Sequence, residues 1–391
     1  MNNWALATLG DVAQIEREVI GPEAIRSGTS YVGLEHITSE GTFALPPVVE
    51  QGELASAKFS FTSSHLLYGK LRPYLSKIAR PDFNGVCSTD ILPVRPGSKL
   101  DRNYLHHCLR LPSMVALANS RSVGANLPRL SPGVLAAFEI PLPPLPEQRR
   151  IAEVLDRAET LRAQRRQALA QLDALAESIF FDMFGDPVSN SKKLPEGAFL
   201  GDVADVVSGI TKGRPLKGQA ARSVPYLAVS NVHDRSLSLG VVKTIEATKA
   251  EIARYRLLDG DLLLTEGGDP DKLGRGTLWR SELPECIHQN HIFRVRVTSP
   301  NIRPLYLSWL VGSQRGKRYF LRSAKQTTGI ASINMTQLKG FPLLTPPLSQ
   351  QERFEHRLKG VSVVRAAHVR AATEMDALFA SLQHRAFRGE L

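Results

Sequence analysis

The sequence predicts an α+β protein: two copies of one α/β domain, separated by two long antiparallel coiled-coil helices and related by a pseudo-twofold axis. Three observations carry this expectation. A proline cluster (Pro141, Pro143, Pro144, Pro146) is followed by residues 147–184, which contain neither proline nor glycine. Within that stretch Ile151, Val154, Ala158, Leu161, Arg165, Ala168, Leu172, Leu175 and Ile179 recur in alternating steps of three and four, the spacing of a coiled-coil seam. A second stripe of the same kind, Phe354, Leu358, Val361, Arg365, His368, Ala372, Met375, Phe379, Leu382 and Ala386, lies near the C-terminus. The third observation is that the chain repeats itself.

The repeat takes the chain in order. Leu9-Gly10-Asp11-Val12-Ala13 returns as Leu200-Gly201-Asp202-Val203-Ala204, and Tyr31-Val32-Gly33-Leu34 resembles Tyr226-Leu227-Ala228-Val229. Further on, Ser88-Thr89-Asp90-Ile91 corresponds to Gln289-Asn290-His291-Ile292, and Pro146-Glu147-Gln148-Arg149 to Ser349-Gln350-Gln351-Glu352. The boundaries read as a first domain at 1–145, a central helix at 146–185, a second domain at 186–345 and a distal helix at 346–391. Strands are expected at 30–35, 64–71, 75–80 and 88–95 in the first domain, and at 225–230, 261–265, 276–280 and 291–297 in the second. A helix follows in each, at 103–119 and 303–321. After it comes a polar, glycine-containing loop, 121–126 and 326–331. The two long helices would each run roughly 50–60 Å at 1.5 Å per residue, too long for one small domain to cover. Each is therefore the other's partner. Arg165 then meets Arg365 and His368 near mid-seam, where polar side chains either fix register or snorkel into water.

Composition narrows the function. With 391 residues, 42% hydrophobic and 22% charged, the chain reads as globular. No run of about 18 apolar residues suggests a membrane span, and the first residues lack the pattern of a signal peptide. Three scattered cysteines, Cys87, Cys108 and Cys286, fit neither a zinc site nor a disulfide framework, so a reducing cytoplasm is expected. The net charge is +11, and residues 186–345 alone hold 23 basic against 14 acidic side chains. Such an excess favours a polyanionic partner.

Catalytic motifs are missing: no phosphate loop, no dinucleotide fingerprint, no base-holding methyltransferase motif, no nuclease carboxylate set and no His/Cys metal spacing. One acidic stretch, Glu266-Gly267-Gly268-Asp269-Pro270-Asp271 with Asp261, has the oxygen ligands a magnesium site needs, but turn-capping in a glycine-shaped loop is the preferred reading, and no metal is expected. The candidate nucleic-acid contacts in the first domain are Tyr68, Lys70, Arg72, Tyr74 and Lys77, where basic and aromatic residues alternate, with Arg121, Asn126 and Arg129 from the polar loop. In the second they are Lys212, Arg214, Lys272, Arg275, Arg322, Lys325, Gln326 and Thr328. Arginine, asparagine and glutamine can pair with base edges, whereas lysine and threonine more often hold phosphates.

PLPPLPEQRRIAEVLD with the helix ending ESIFFDMFGD resembles the central region of specificity subunits of type I restriction–modification systems, and PPLSQQERF resembles their distal repeat. The resemblance spans essentially the whole chain. It implies two target-recognition domains, each reading half of a split DNA sequence, with the helices as a ruler for the spacer and as the docking site of two modification subunits. It also implies that S-adenosylmethionine, ATP and magnesium belong to partner modification and restriction subunits, with no cofactor and no catalysis in this chain. From the residues alone, a coiled-coil scaffold with basic nucleic-acid- or protein-binding lobes stands as the alternative.

Overall fold

The structure is a computed structural model and describes residues 4–44, 48–216, 218–269, 273–327 and 330–391, with residues 326, 327 and 330 described by backbone alone. The chain divides into two compact units, Met1–Gln167 with His368–Leu391, and Ala168–Ala367.

The first unit is built on a four-stranded antiparallel sheet in the order Ala13–Ile15, Ile91–Pro96, Leu66–Gly69, Ile78–Ala79. Residues 66–69 and 91–94 of its central strands are apolar and buried because both faces are covered there. Leu66, Tyr68, Leu92 and Val94 point into one core, and Leu67 and Ile91 point into another, as alternation along a strand requires. A second sheet contains one parallel pair, Tyr31 with Val86 and Val32 with Cys87. The second unit repeats the plan. Its antiparallel sheet runs Ala204–Ser208, Ile292–Val297, Leu262–Thr265, Gly276–Leu278. Leu262 and Leu264 enter one core and Leu263 and Ile292 another. Tyr226 and Leu227 pair in parallel with Ile287 and His288.

The helices expected at 103–119 and 303–321 are each two helices. The first breaks into Arg102–Leu109 and Pro112–Ser120, since Pro112 can open a helix but cannot continue one. The second breaks into Pro304–Gly312 and Gln314–Ser323. At this break Ser313 is extended, and a side chain at position 316 would collide with the Val311 carbonyl.

The two long helices are Leu145–Phe184 and Leu348–Ala386. Each is fastened to its own domain by one buried glutamine. The Gln148 Oε1 accepts from the Asp101 backbone N–H at 2.8 Å, and its Nε2 donates to the carbonyls of Lys99 (2.9 Å) and Pro143 (2.8 Å). Gln351 does the same in the second unit with Arg303 N–H (2.8 Å), Asn301 O (3.0 Å) and Pro346 O (2.8 Å). A tyrosine hydroxyl closes the same corner in each unit, Tyr104 to Pro141 O and Tyr306 to Leu344 O.

Within each unit the segments of the two long helices run antiparallel. In the first, Arg162 Nε donates to Asp376 at 2.6 Å and Arg165 Nη1 to His368 Nδ1 at 3.1 Å. In the second, Arg365 Nε donates to Asp173 at 2.7 Å and Arg357 Nη1 to Asp182 at 3.1 Å. Arg165 and His368 are half-buried and bonded to each other, whereas Arg365 reaches out to an exposed carboxylate.

Burial corrects the first stripe. Ile151, Ala158, Arg165, Leu172 and Ile179 face inward, and Leu155, Arg162, Leu169 and Ala176 face inward between them. Val154 and Ala168 are half-buried at the margin of this stripe. Leu161 and Leu175 face out, 53% and 48% exposed. The helix is held in this rotation by its ends, where Ile151, Ala152 and Leu155 enter the core of one unit and Phe180 and Phe184 that of the other. Burying each large apolar side chain contributes about 1.5–3 kcal/mol, so the ends outweigh one leucine in mid-helix. In the C-terminal helix Phe354, Leu358 and Phe379 are buried, and Val361, His368, Met375 and Leu382 are half-buried.

Gln148→Ala leaves one buried N–H and two carbonyls without partners. We expect urea unfolding to show a loss of about 3 kcal/mol, from a cost of about 1–3 kcal/mol per orphaned buried group. A loss below about 0.5 kcal/mol would contradict the clamp, because that is the size of an ordinary surface change.

Candidate nucleic-acid interface

In the first unit the chain leaving strand Leu66–Gly69 meets the polar loop after helix Pro112–Ser120. The Lys70 N–H donates to Asp90 O and the Lys70 carbonyl accepts from Leu130 N–H, both at 2.9 Å. Arg72 N–H donates to Pro128 O at 2.7 Å, and Val123 and Arg129 exchange a pair of backbone bonds at 3.0 and 2.9 Å. Two clusters some fifty positions apart thus form one surface. Gly124 (φ 116) lets the loop turn back. Arg72 and Ser76 hold left-handed backbone (φ 52 and 50) on either side of the turn Pro73–Leu75, a conformation that costs a non-glycine residue about 1–2 kcal/mol. This turn exposes Arg72, Tyr74 and Leu75, and the loop exposes Arg121, Val123, Asn126 and Leu127.

The second unit has the same construction. Glu266 N–H donates to His291 O at 3.0 Å, and Ile333 N–H donates to Glu266 O at 2.9 Å. Gly267–Gly268 pairs with Ile330–Ser332, which pairs with Lys325–Thr327. Lys70 and Asp90 of the first unit therefore stand where Glu266 and His291 stand in the second. The side chains are wired differently: Arg129 grips Asp90 with Nε at 2.9 Å and Nη2 at 3.2 Å, whereas His291 Nδ1 lies 2.6 Å from Glu266 Oε2.

The candidate residues divide by what they touch. Tyr68 is 3% exposed in the core, where burial pushes its phenol well above the usual range, so it faces no ligand. Lys77 spends its ammonium on Leu34 O at 2.6 Å. Arg214 binds both oxygens of Glu251 at 2.6 Å and Glu246 O at 2.9 Å; chiefly through that arginine, the Glu251 carboxyl is held down to about 2. Arg214 thus ties its loop to the helix Lys249–Tyr255, whose first turn Thr248 and Glu251 cap. Lys70 and Arg275 are half-buried. Lys212, Arg322 and Lys325 are exposed. Lys212 follows Ile210, which is hydrogen-bonded to His288 and Asn290 and so starts beside His291. Lys272 and Thr328, and the side chain of Gln326, lie outside the described residues. Asp261 is buried against Arg296, both of its oxygens 2.7 Å from that guanidinium, so it is turned away from Glu266.

Asp90, His291, Val123 and Leu127 belong to these surfaces and escaped the reading by charge and aromaticity. Aligning the two copies at positions 90 and 291 was the one signal that could have found the first pair. Exposed guanidinium, amide, aromatic and aliphatic groups on a tied-down loop can hold phosphate, pair with base edges and cover a thymine methyl.

Comparison with known proteins finds similar chains. Residues 1–172 match the family described as the type I restriction modification DNA specificity domain. The chain is 26% identical over 317 residues to the StySPI specificity subunit of Salmonella potsdam, covering 76% of this chain and 67% of that one. It is 30% identical over 188 residues to the EcoDI specificity subunit of Escherichia coli, 47% of this chain and 42% of that one. The fold is shared with the type I restriction–modification S subunit of M. genitalium, at a TM-score of 0.56 and 13% identity over 99% of this chain and 97% of the other. The family match covers residues 1–172, and the chain beyond it is similar in sequence and fold to specificity subunits of type I restriction–modification systems.

Proposed function

We propose that this chain is the DNA-reading subunit of a type I restriction–modification complex and does no chemistry itself. The observation that carries the reading is the pair of matched surfaces. One backbone scaffold occurs twice, with different side chains at equivalent places: Lys70 and Asp90 in one copy, Glu266 and His291 in the other. Two modules that share a frame and differ in their contacts suit a target made of two unlike halves. Phosphate contacts seat each module and a few base-edge contacts specify sequence, and linking the modules makes the second contact effectively intramolecular. The long helices connect them and set the unspecified spacer.

The same helices offer the docking surface. Leu161 and Leu378 are exposed in the first unit, and Val364 and Leu175 hold the repeat-equivalent positions in the second, also exposed. Two equivalent apolar patches suit two copies of one partner, the modification subunit. That subunit would bring S-adenosylmethionine, and restriction subunits would bring ATP and magnesium. No helix among the described residues is long and apolar enough to cross a membrane, and we place the complex in the cytoplasm with the DNA.

Selection from random duplexes, with the chain bound to its modification subunits, should enrich a two-part motif with a fixed gap. Enrichment that ignores sequence would overturn the reading in favour of a basic scaffold. Arg121→Ala or Asn126→Ala should relax one half of the motif and weaken binding by about 1–3 kcal/mol, the worth of a good base contact. Arg214→Ala should instead lower the melting temperature and leave the selected sequence unchanged. Four residues inserted at Ala168, about one helical turn, should lengthen the recognised gap while both halves stay the same; an unchanged gap would rule out the ruler.

A further inference from the structure

His106 and His107 are adjacent on the helix Arg102–Leu109 and almost wholly buried, 1% and 0% exposed. Each Nε2 is taken. His106 Nε2 lies 3.2 Å from Ile78 O, and His107 Nε2 lies 2.8 Å from Asp156 Oδ1. A carbonyl and a carboxylate can only accept, so each Nε2 carries a proton and the nitrogen left to bind a ligand is Nδ1. Both Nδ1 atoms are buried and have no hydrogen-bond partner. A buried polar atom without a partner costs about 1–3 kcal/mol, and here two occur side by side.

The repeat supplies an internal control. Asp101 corresponds to Arg303 at the glutamine clamp and Tyr104 to Tyr306 at the hydroxyl contact. Counting on from these, His106 and His107 stand where the second unit has Ser308 and Trp309, and Glu159 stands where it has Ser362. Trp309 packs there against Phe180 and Phe354. The fold is thus satisfied by an aromatic ring at this corner, and neither imidazole is needed to build it.

We propose that the first unit binds a divalent transition-metal ion of the zinc class through the Nδ1 atoms of His106 and His107 and the carboxylate of Glu159. One ligand atom from each of the three lies within 4.8 Å of the others. The outer contacts are those of a metal site: each ligating imidazole donates its other N–H to a carboxylate or carbonyl, fixing ring and tautomer. Glu159 is steadied by Arg110, 2.7 Å from Oε1, and Asp156 by Arg80. A carboxylate has a second oxygen for the ion. Three protein ligands leave a fourth, tetrahedral position to water. The two guanidiniums already neutralise the two carboxylates, so the ion adds uncompensated charge and the site is a weak one. Its effect is to pin helix Arg102–Leu109 to the central helix within this unit.

The test uses the full chain without a histidine tag, titrated with zinc and, in parallel, cobalt. One equivalent of zinc should bind, and the melting temperature should rise with zinc concentration. X-ray absorption of the cobalt- or zinc-loaded wild-type chain should show two imidazoles in a first shell of nitrogen and oxygen. Glu159→Gln should weaken binding at least tenfold, and His107→Gln should abolish the stoichiometric site. No binding, a first shell without imidazole, or affinity unchanged in Glu159→Gln would overturn the proposal. The absorption result needs no variant, so it decides the matter even where His107→Gln fails to fold.

Discussion

The buried glutamine at the start of each long helix is the interaction on which the rest depends. Gln148 and Gln351 each bond one backbone N–H and two carbonyls, from two separate stretches of chain, at a point closed to water. A carboxamide, with one acceptor oxygen and two donor hydrogens, can satisfy all three, and an ionised glutamate could not donate to the carbonyls. The clamp ties the helix start to the helix that follows the main sheet. It thereby transmits the orientation of the recognition surface, which hangs from the same sheet, to the direction of the strut.

Once the ends are clamped, the middle of the helix has no choice of face. Leu161 and Leu175 are turned outward, and Arg162 is turned in, where it covers the Phe379 ring at 4.3 Å and bonds Asp376. The three-and-four spacing was legible in the sequence, and so were the helix, its length and its partner. The phase was only half legible. Two seams share Ile151, Ala158, Arg165, Leu172 and Ile179, and they differ in whether the residue between lies three or four positions on. Periodicity cannot choose between them. Burial at the termini does, through contacts that join residues far apart in sequence. The outward leucines, an error if the helix served only as a seam, make sense on a helix with a third surface to cover.

Much the same holds for the recognition surfaces. The repeat, the order of strands and the position of the polar loop could be read from the chain, because apolar runs and turn residues are local signals. Which cation is free could not. Lys77, Arg129 and Arg214 all look like phosphate ligands in sequence, yet each has an internal partner dozens of positions away: Leu34 O, Asp90 and Glu251. Tyr68 alternates with basic residues, but its place on a strand covered on both faces puts it in the core. Helix breaks at Leu111 and Ser313 followed the same logic, since proline placement announced one and a tight glycine contact determined the other.

The comparison of the two copies yields more than either alone. Where they agree, as at the glutamine clamp and the tyrosine corner, the shared residue is doing what the fold requires. Where they disagree on one backbone, the fold does not require the residue, and another cause must be sought. Lys70 and Asp90 against Glu266 and His291 is such a disagreement at the candidate interface, and under the proposed function reading different bases would be cause enough. His106 and His107 against Ser308 and Trp309 is such a disagreement in a buried place, where no base can reach. Buried imidazoles with bare lone pairs cost stability that an aromatic ring in the sister copy does not. Differing DNA targets cannot explain that cost, and a bound cation can.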